Sequence, residues 1–216
     1  MNIVVAMTGA SGAVFAARLL DILQRGDHHV HLTFSPAASL VFQQELGVRM
    51  QAEGFHPSDF VRDCRRALRR WGLAEHAAST TPAEIDYHRV HDFMSPIASG
   101  SHLTDGMVVC PCSGGTLSAI VHGLGNNLIH RAADVHLKER RPLIVVPRET
   151  PLSAIQLDNM RRLAEAGAVV MPAMPGWYHG VSTVMDLVDF MVARILDQLR
   201  IPHQLVRRWG DTESSA

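Results

Sequence analysis

Surplus charge, cysteine and long apolar runs are all scarce in this chain. Its 216 residues carry 20 Lys and Arg against 21 Asp and Glu, a formal net charge of -1. That balance excludes a broad basic surface for nucleic acid and makes any cationic site a local one. No apolar run reaches the roughly 20 residues of a membrane-spanning helix. The opening MNIVVAMTGASG has no basic segment ahead of its apolar stretch, so it reads as a first strand and not a secretory signal. The three cysteines are Cys64, Cys110 and Cys112. An odd count without a secretory signal fits free thiols in a reducing compartment, and a cytoplasmic location is expected. The CPC spacing suits neither a zinc ribbon nor a redox pair, so Cys110 and Cys112 are expected as small buried residues at a strand end. The 13 histidines show no H-x-x-x-H pair with a carboxylate at ligand spacing, and no metal site is expected. No G-x-S-x-G elbow, internal repeat or low-complexity linker is present.

What is present is an alternation of short apolar runs with helical periods. The chain is 47% hydrophobic, enough for one full core. NIVVAM reads as a strand, and GASGAVFAARLLDILQRG switches to a helical stripe of Val14, Leu19, Ile22 and Leu23. HVHLTFS alternates as a strand, and PAASLVFQQELG reads as a helix ending at Gly47. After about Ser95 the pattern resumes with the strands GMVVCP, PLIVVP and AVVMPA and helices between them. It ends in a long helix capped by Ser182 or Thr183. The fold class is therefore α/β, a doubly wound parallel sheet in a single domain over residues 1–209. A charge-rich insertion or lid is expected around 50–95, with a short helix from Cys64 to Trp71, and the tail 210–216 reads as disordered. The cluster Arg62, Arg65, Arg66, Arg69 and Arg70 reads as a solvated helix face or subunit contact.

In an open parallel sheet, ligands bind where strands end and strand order reverses. Five loops qualify: TGASGA (8–13), SPAAS (35–39), CPCSGGT (110–116), PRETP (147–151) and PAMPGWYH (172–179). The first and third put free amides and hydroxyls, Ser11 and then Ser113 and Thr116, at helix starts, which suits a phosphate or a flavin edge. A tight strand-to-helix turn explains the first loop equally well. Arg131, Asp134 and Lys138 share one helix face, as either an anion site or an internal ion-pair stripe. Arg148 directly follows an apolar strand, with Glu149 beside it to orient it or handle a proton. Tyr178 and Trp177 belong to a loop that closes over a ligand or packs on the surface. Arg194 lies beside an apolar helix face, where it either meets an anion or extends to water.

Together, MTGASGA, SPAA followed by Glu45, IASGS (97–101), CPCSGGTLSAI, RAADVHLKERRPLIVVPRETPL, PGWYH and the terminal RRW resemble the UbiX-type flavin prenyltransferases, formerly described as phenylacrylic or aromatic acid decarboxylase subunits. The match spans nearly the whole chain except about residues 50–92. The resemblance implies a flavodoxin-like Rossmann fold that binds FMN. It implies transfer of a dimethylallyl group from dimethylallyl monophosphate to N5 and C6 of reduced FMN, without a metal ion. The product, prenylated FMN, would pass to a UbiD-type decarboxylase, and the chain would form a dodecamer of trimers with sites shared between subunits. Phosphate ligands carry over onto Ser11, Arg131, Lys138, Arg148, Tyr178 and Arg194. FMN contacts carry over onto Gly9, Ala10, Ser11, Ser35, Ala98, Ser101, Ser113, Thr116 and Arg131. Catalytic roles fall to Lys138 and Tyr178, to Glu149 as proton donor to the departing phosphate, to Glu45 as base at C6, and to Trp209 against the prenyl group.

The chain departs from the family pattern at Gly114 and Gly115, where many members carry a bulkier pair, and at Gly176 and Trp177, which replace a common Ala-Phe pair. Two other readings use the same fold. A flavin-dependent cysteine decarboxylase would need an Asn that PAMPGWYH lacks, and it has no use for a phosphate cluster. A non-catalytic FMN-binding accessory subunit would keep the flavin contacts without needing Lys138, Arg148, Glu149 and Arg194.

Overall fold

Short runs of β-branched and apolar residues become strands buried on both faces, as a parallel sheet between helix layers requires. The computed structural model describes residues 1–73 and 83–208. In chain order the elements are β1 (Asn2–Met7), α1 (Ala13–Leu23), β2 (His29–Phe34), α2 (Pro36–Leu46), α3 (Pro57–Arg69), β3 (Glu84–Tyr87) and β4 (Gly106–Cys112). They continue with α4 (Gly114–Val121), α5 (Leu128–Lys138), β5 (Leu143–Pro147), α6 (Ala154–Glu165), β6 (Val169–Val170) and α7 (Val184–Gln198). A 3-10 turn covers Pro96–Ala98. The sheet order is β3-β2-β1-β4-β5-β6, all parallel. The chain moves outward from β1 to one edge and then returns to β4 beside it, so the switch point lies between β1 and β4.

Alternate strand residues supply two cores. Ile3, Val5, Val30 and Leu32 face α1, α2, α3 and α7, while Val4, Ala6, Met107 and Val145 face α4, α5 and α6. Helix ends follow the sequence signals. Gly47 closes α2 in the left-handed region at φ 69. Thr183, not Ser182, caps α7, forming a reciprocal capping box with Asp186. Cys110 and Cys112 are fully buried on β4, and burial raises both thiols, Cys110 to about 12. Neither is a nucleophile at neutral pH.

The stretch expected as an insertion or lid is built differently. Its helix begins at Pro57, not Cys64, and buries Phe60, Val61, Cys64, Ala67 and Leu68 against the rest of the core. Its far end is β3, which pairs with β2 in register His29↔Glu84 through Leu32↔Tyr87. The strand EIDY went unread because an edge strand of four residues buries only one face and keeps polar residues on the other. The arginine cluster of α3 divides as well. Arg62 pairs with Asp59 at the surface, but Arg65 reaches inward to Asp21 at 2.6 Å. Asp21 is wholly buried and also takes Arg18 and Arg25, while Arg18 bonds Asp189 of α7. This network fastens α1 to α3 and α7. Burial alone would raise the Asp21 carboxyl, but the hydrogen bonds and charge of Arg65 and Arg25 outweigh it and hold the group low. Among the described residues no helix is long and apolar enough to cross a membrane.

Candidate active site at the carboxyl edge of the sheet

The β1 and β4 loops are tied together at the switch point. The Thr8 hydroxyl donates to the Pro111 carbonyl at 2.8 Å and accepts from the Ser113 amide at 2.8 Å. Gly9 lies so close to α2 that a Cβ there would stand 2.5 Å from the Ala37 Cβ, so only glycine fits. Gly12 precedes α1 at φ 116, a conformation that L side chains rarely adopt. Beyond these turns Ala10 is buried and Ser11 half-buried.

The start of α1 already holds an anion. Glu45, near the end of α2, accepts from the Gly12 amide at 3.0 Å and the Ala13 amide at 2.8 Å. These donors were expected for a phosphate or a flavin edge; in the structure a carboxylate of the chain accepts from them, as the positive end of a helix favours. Glu45 is thereby fixed against the β1 loop, at the switch point where a flavin would lie. Sequence spacing offered no sign of this, because the two ends of the contact lie on different helices.

The serines expected to hold FMN also cap helices. Ser35 accepts from the Ala38 amide at the start of α2, and Ser113 accepts from the Thr116 amide and donates to the Thr116 hydroxyl at 3.1 Å. Gly114 and Gly115 leave the start of α4 without side chains, and a Cβ on Gly115 would meet nothing within 4 Å. Next along the edge, Arg148 and Glu149 follow β5 and line a small cavity with Cys112, Gly114 and Gln156. Glu149 accepts from the Thr150 amide at 3.1 Å and from Gln156 Nε2 at 3.3 Å. Gln156 is a site residue the sequence reading missed. Its signal was the S-x-x-Q capping box, since Ser153 and Gln156 cap α6 reciprocally.

Arg131 and Ala98 come together. Arg131 Nε donates to the Ala98 carbonyl at 2.9 Å and its guanidinium pairs with Asp134 at 2.8 Å, which pins the 3-10 turn to α5. Ser101 shares a hydroxyl contact of 2.8 Å with Ser99. Tyr178 and Trp177 are exposed on their loop, with the Tyr178 ring edge-on to Phe190. A Cβ on Gly176 would stand 3.0 Å from both the Phe190 and Tyr178 rings, so glycine lets this loop lie flat on α7.

Two expected phosphate ligands lie elsewhere in the chain. Lys138 is the last residue of α5, about 15 Å from its start at Leu128, and pairs with Glu139 at 2.6 Å instead of Asp134. It faces an open cleft of about 1000 Å³ at the amino edge of the sheet, with Arg141 and Arg200. Arg194 lies well down α7, half-exposed, and pairs with Asp197 at 2.7 Å. Within one chain, then, the loops carrying Ser11, Ser113, Arg148 and Glu149 lie side by side at the carboxyl edge, with Glu45 held on the first, while Lys138 lies at the amino edge and Arg194 well down α7. Trp209 and the tail lie outside the described residues.

Comparison with known proteins identifies relatives of this chain and of its fold. Residues 1–196 match the family model described as Flavoprotein. The flavin prenyltransferase UbiX of Pseudomonas aeruginosa is 48% identical over 210 residues, covering 97% of this chain and 94% of that one. The crystal structure of AnUbiX in complex with FMN and dimethylallyl pyrophosphate superposes with TM-score 0.78 at 38% identity, covering 98% of each chain. A dodecameric FMN-dependent UbiX-like decarboxylase from Escherichia coli also gives TM-score 0.78, at 37% identity over 98% of this chain and all of that one.

Proposed function

The chain belongs to the UbiX family of flavin prenyltransferases, and from that premise we propose how its residues divide the work. It is a transferase that prenylates FMN. The observation that carries the residue assignments is the convergence of three loops at the carboxyl edge: the Thr8–Ser113 tie, the anchored Glu45, and the Arg148–Glu149 pair beside Gly114. Hydroxyls of Ser11, Ser35, Ser113 and Thr116 around bare glycine backbone fit a flavin and its phosphate.

When bound, reduced FMN supplies the nucleophilic N5 and C6 that take the dimethylallyl group. The chain's part is to bind, orient and manage charge. Gly9, Ala10 and Ser11 hold the flavin from one side and Ser113 and Thr116 from the other, while Ala98 and Ser101, whose turn packs beside Lys138, reach it from a neighbouring subunit. Arg148, with Tyr178, grips the phosphate of the prenyl donor, which is dimethylallyl monophosphate. As that phosphate departs it carries nearly two negative charges, and fixed cations aimed at it stabilise the transition state. Lys138 and Arg194 bring further cations from neighbouring subunits, because neither reaches the carboxyl edge of its own chain. Arg131 holds the Ala98 turn in place at the same boundary. Glu149, oriented by Gln156, protonates the departing phosphate. Glu45, held by two α1 amides, would take the proton from C6 as the ring closes and the prenyl double bond gains a proton. A dodecamer like that of the E. coli relative supplies the shared sites, and a UbiD-type decarboxylase receives the product.

The test is anaerobic. The protein is mixed with reduced FMN and dimethylallyl monophosphate, and the flavin is weighed by mass spectrometry. A gain of one prenyl unit is expected. Unmodified flavin with both the monophosphate and the pyrophosphate would sink the proposal.

A further inference from the structure

Away from the site, four histidines and a carboxylate crowd one face of the β2–β3 edge. His29 Nε2 lies 2.8 Å from Asp86 Oδ2. The rings of His29 and His31 stand 4.4 Å apart. His31 Nδ1 faces His88 Nε2 at 3.0 Å, and His31 Nε2 faces His102 Nε2 at 3.3 Å. We propose that His29, His31 and Asp86 form a site for one divalent transition ion of the zinc type, separate from prenyl transfer.

The arrangement follows from strand geometry. His31 and Asp86 are direct partners in the parallel register, and His29 precedes His31 by two residues. Residues two apart on a strand point to the same face, and neighbouring strands lie about 4.8 Å apart. One ligand atom from each of the three residues falls within a sphere where all separations are 4.8 Å or less. Two ligands on a tetrahedral zinc, each about 2.0–2.1 Å from the ion, stand roughly 3.3 Å from each other. Small rotations about χ1 and χ2 close the remaining gap, and the ion takes the place of the proton now shared by His29 and Asp86.

His31 is 2% exposed, whereas His29 and Asp86 side chains are 32% and 48% exposed. The site therefore has one dry wall and an open mouth for ion entry. Whichever His31 nitrogen binds, the other keeps a histidine partner, as metal-bound imidazoles require for orientation. The histidine facing the bound nitrogen is at ligand-to-ligand spacing and can complete the shell. Two or three imidazoles with one carboxylate select zinc, nickel or copper over magnesium or calcium. The three ligands stand away from the carboxyl edge of their own chain, because His29 begins β2 and Ser35 follows its end, about 20 Å along a six-residue strand. Its effect is to fasten the four-residue edge strand β3 to β2. The sequence hides it, since H-x-H and D-x-H lie on strands far apart in the chain.

The experiment uses the untagged, full-length assembly, stripped with a chelator, dialysed, and titrated with Zn²⁺ alone. One tightly held Zn²⁺ per chain is expected, with a rise in Tm. In the double variant His29→Gln/Asp86→Asn, affinity should fall at least about tenfold, with the far-UV spectrum and FMN binding unchanged. Co²⁺ in the wild type should give tetrahedral d–d bands without a thiolate charge-transfer band, because all three cysteines are buried. No retained Zn²⁺, equal retention by a folded double variant, or a thiolate band would each overturn the proposal. The cobalt spectrum decides alone if the variant does not fold.

Discussion

Lys138 and Arg148 stand beyond opposite ends of β5, with about 17 Å of five-residue strand between them. Both are expected on one phosphate, yet no side chain spans that distance. On the proposed assignment, Lys138 of one subunit meets Arg148 of another. Lys138→Ala and Arg148→Ala should each lose turnover by about 10²-fold or more while FMN stays bound. Co-assembled in equal amounts, the two inactive variants should regain activity in about a quarter of their sites by random pairing. Assays of the mixed assembly check this, and no recovery would place both residues in one subunit's site.

Glu45→Gln keeps an acceptor for one α1 amide but removes the base. Single-turnover product formation should slow by about 10²-fold or more, with Tm changed little. Unchanged product yield would remove Glu45 from proton transfer and leave it as a helix cap.

Asp21 is the hub of the buried network joining α1, α3 and α7. Asp21→Asn leaves Arg18, Arg25 and Arg65 without the charge they surround. Uncompensated buried charge of this kind costs about 3 kcal/mol or more, and a urea melt should show a loss of that size. A loss below about 1 kcal/mol would mean that water or Asp189 compensates.

His136 sets a pH dependence. It is buried between the Ala132 carbonyl at 2.7 Å and the Thr104 hydroxyl at 2.9 Å. Burial pushes it from 6.5 down to about 4, and the Arg141 guanidinium acts in the same direction, against the hydrogen bond to Ala132. A folded pKa below the unfolded one means the unfolded chain binds the proton first as pH falls. The stability from keeping His136 neutral is thus complete above 6.5 and lost as pH drops toward about 4. It amounts to roughly 3 kcal/mol. Tm should be level above neutrality and fall through that window, and His136→Asn should flatten the slope. Carboxylates held low, Asp21 and Asp197, take over only beneath their ordinary 3.8.

Much of the architecture was legible in the residues. Apolar runs such as GMVVC and LIVV have one physical solution between helix layers, and Gly47, Ser153 and Thr183 announce helix ends through local chemistry. The carboxyl-edge loops could be named for the same reason, since a parallel sheet delivers every strand end to one side. The edge strand β3 could not, because its pattern is half polar and its burial depends on β2 already being in place.

The sequence by itself determined the parallel α/β class and several helix ends, because these rest on periodicity and local hydrogen bonding. Only the tertiary structure decided that Glu45 sits on the α1 amides, that Arg65 turns inward to Asp21, and that Lys138 faces away from Arg148. It also gathered His29, His31 and Asp86 on one sheet face. Each of these depends on where the sheet carries residues distant in the chain, and short-range pattern holds no information about that.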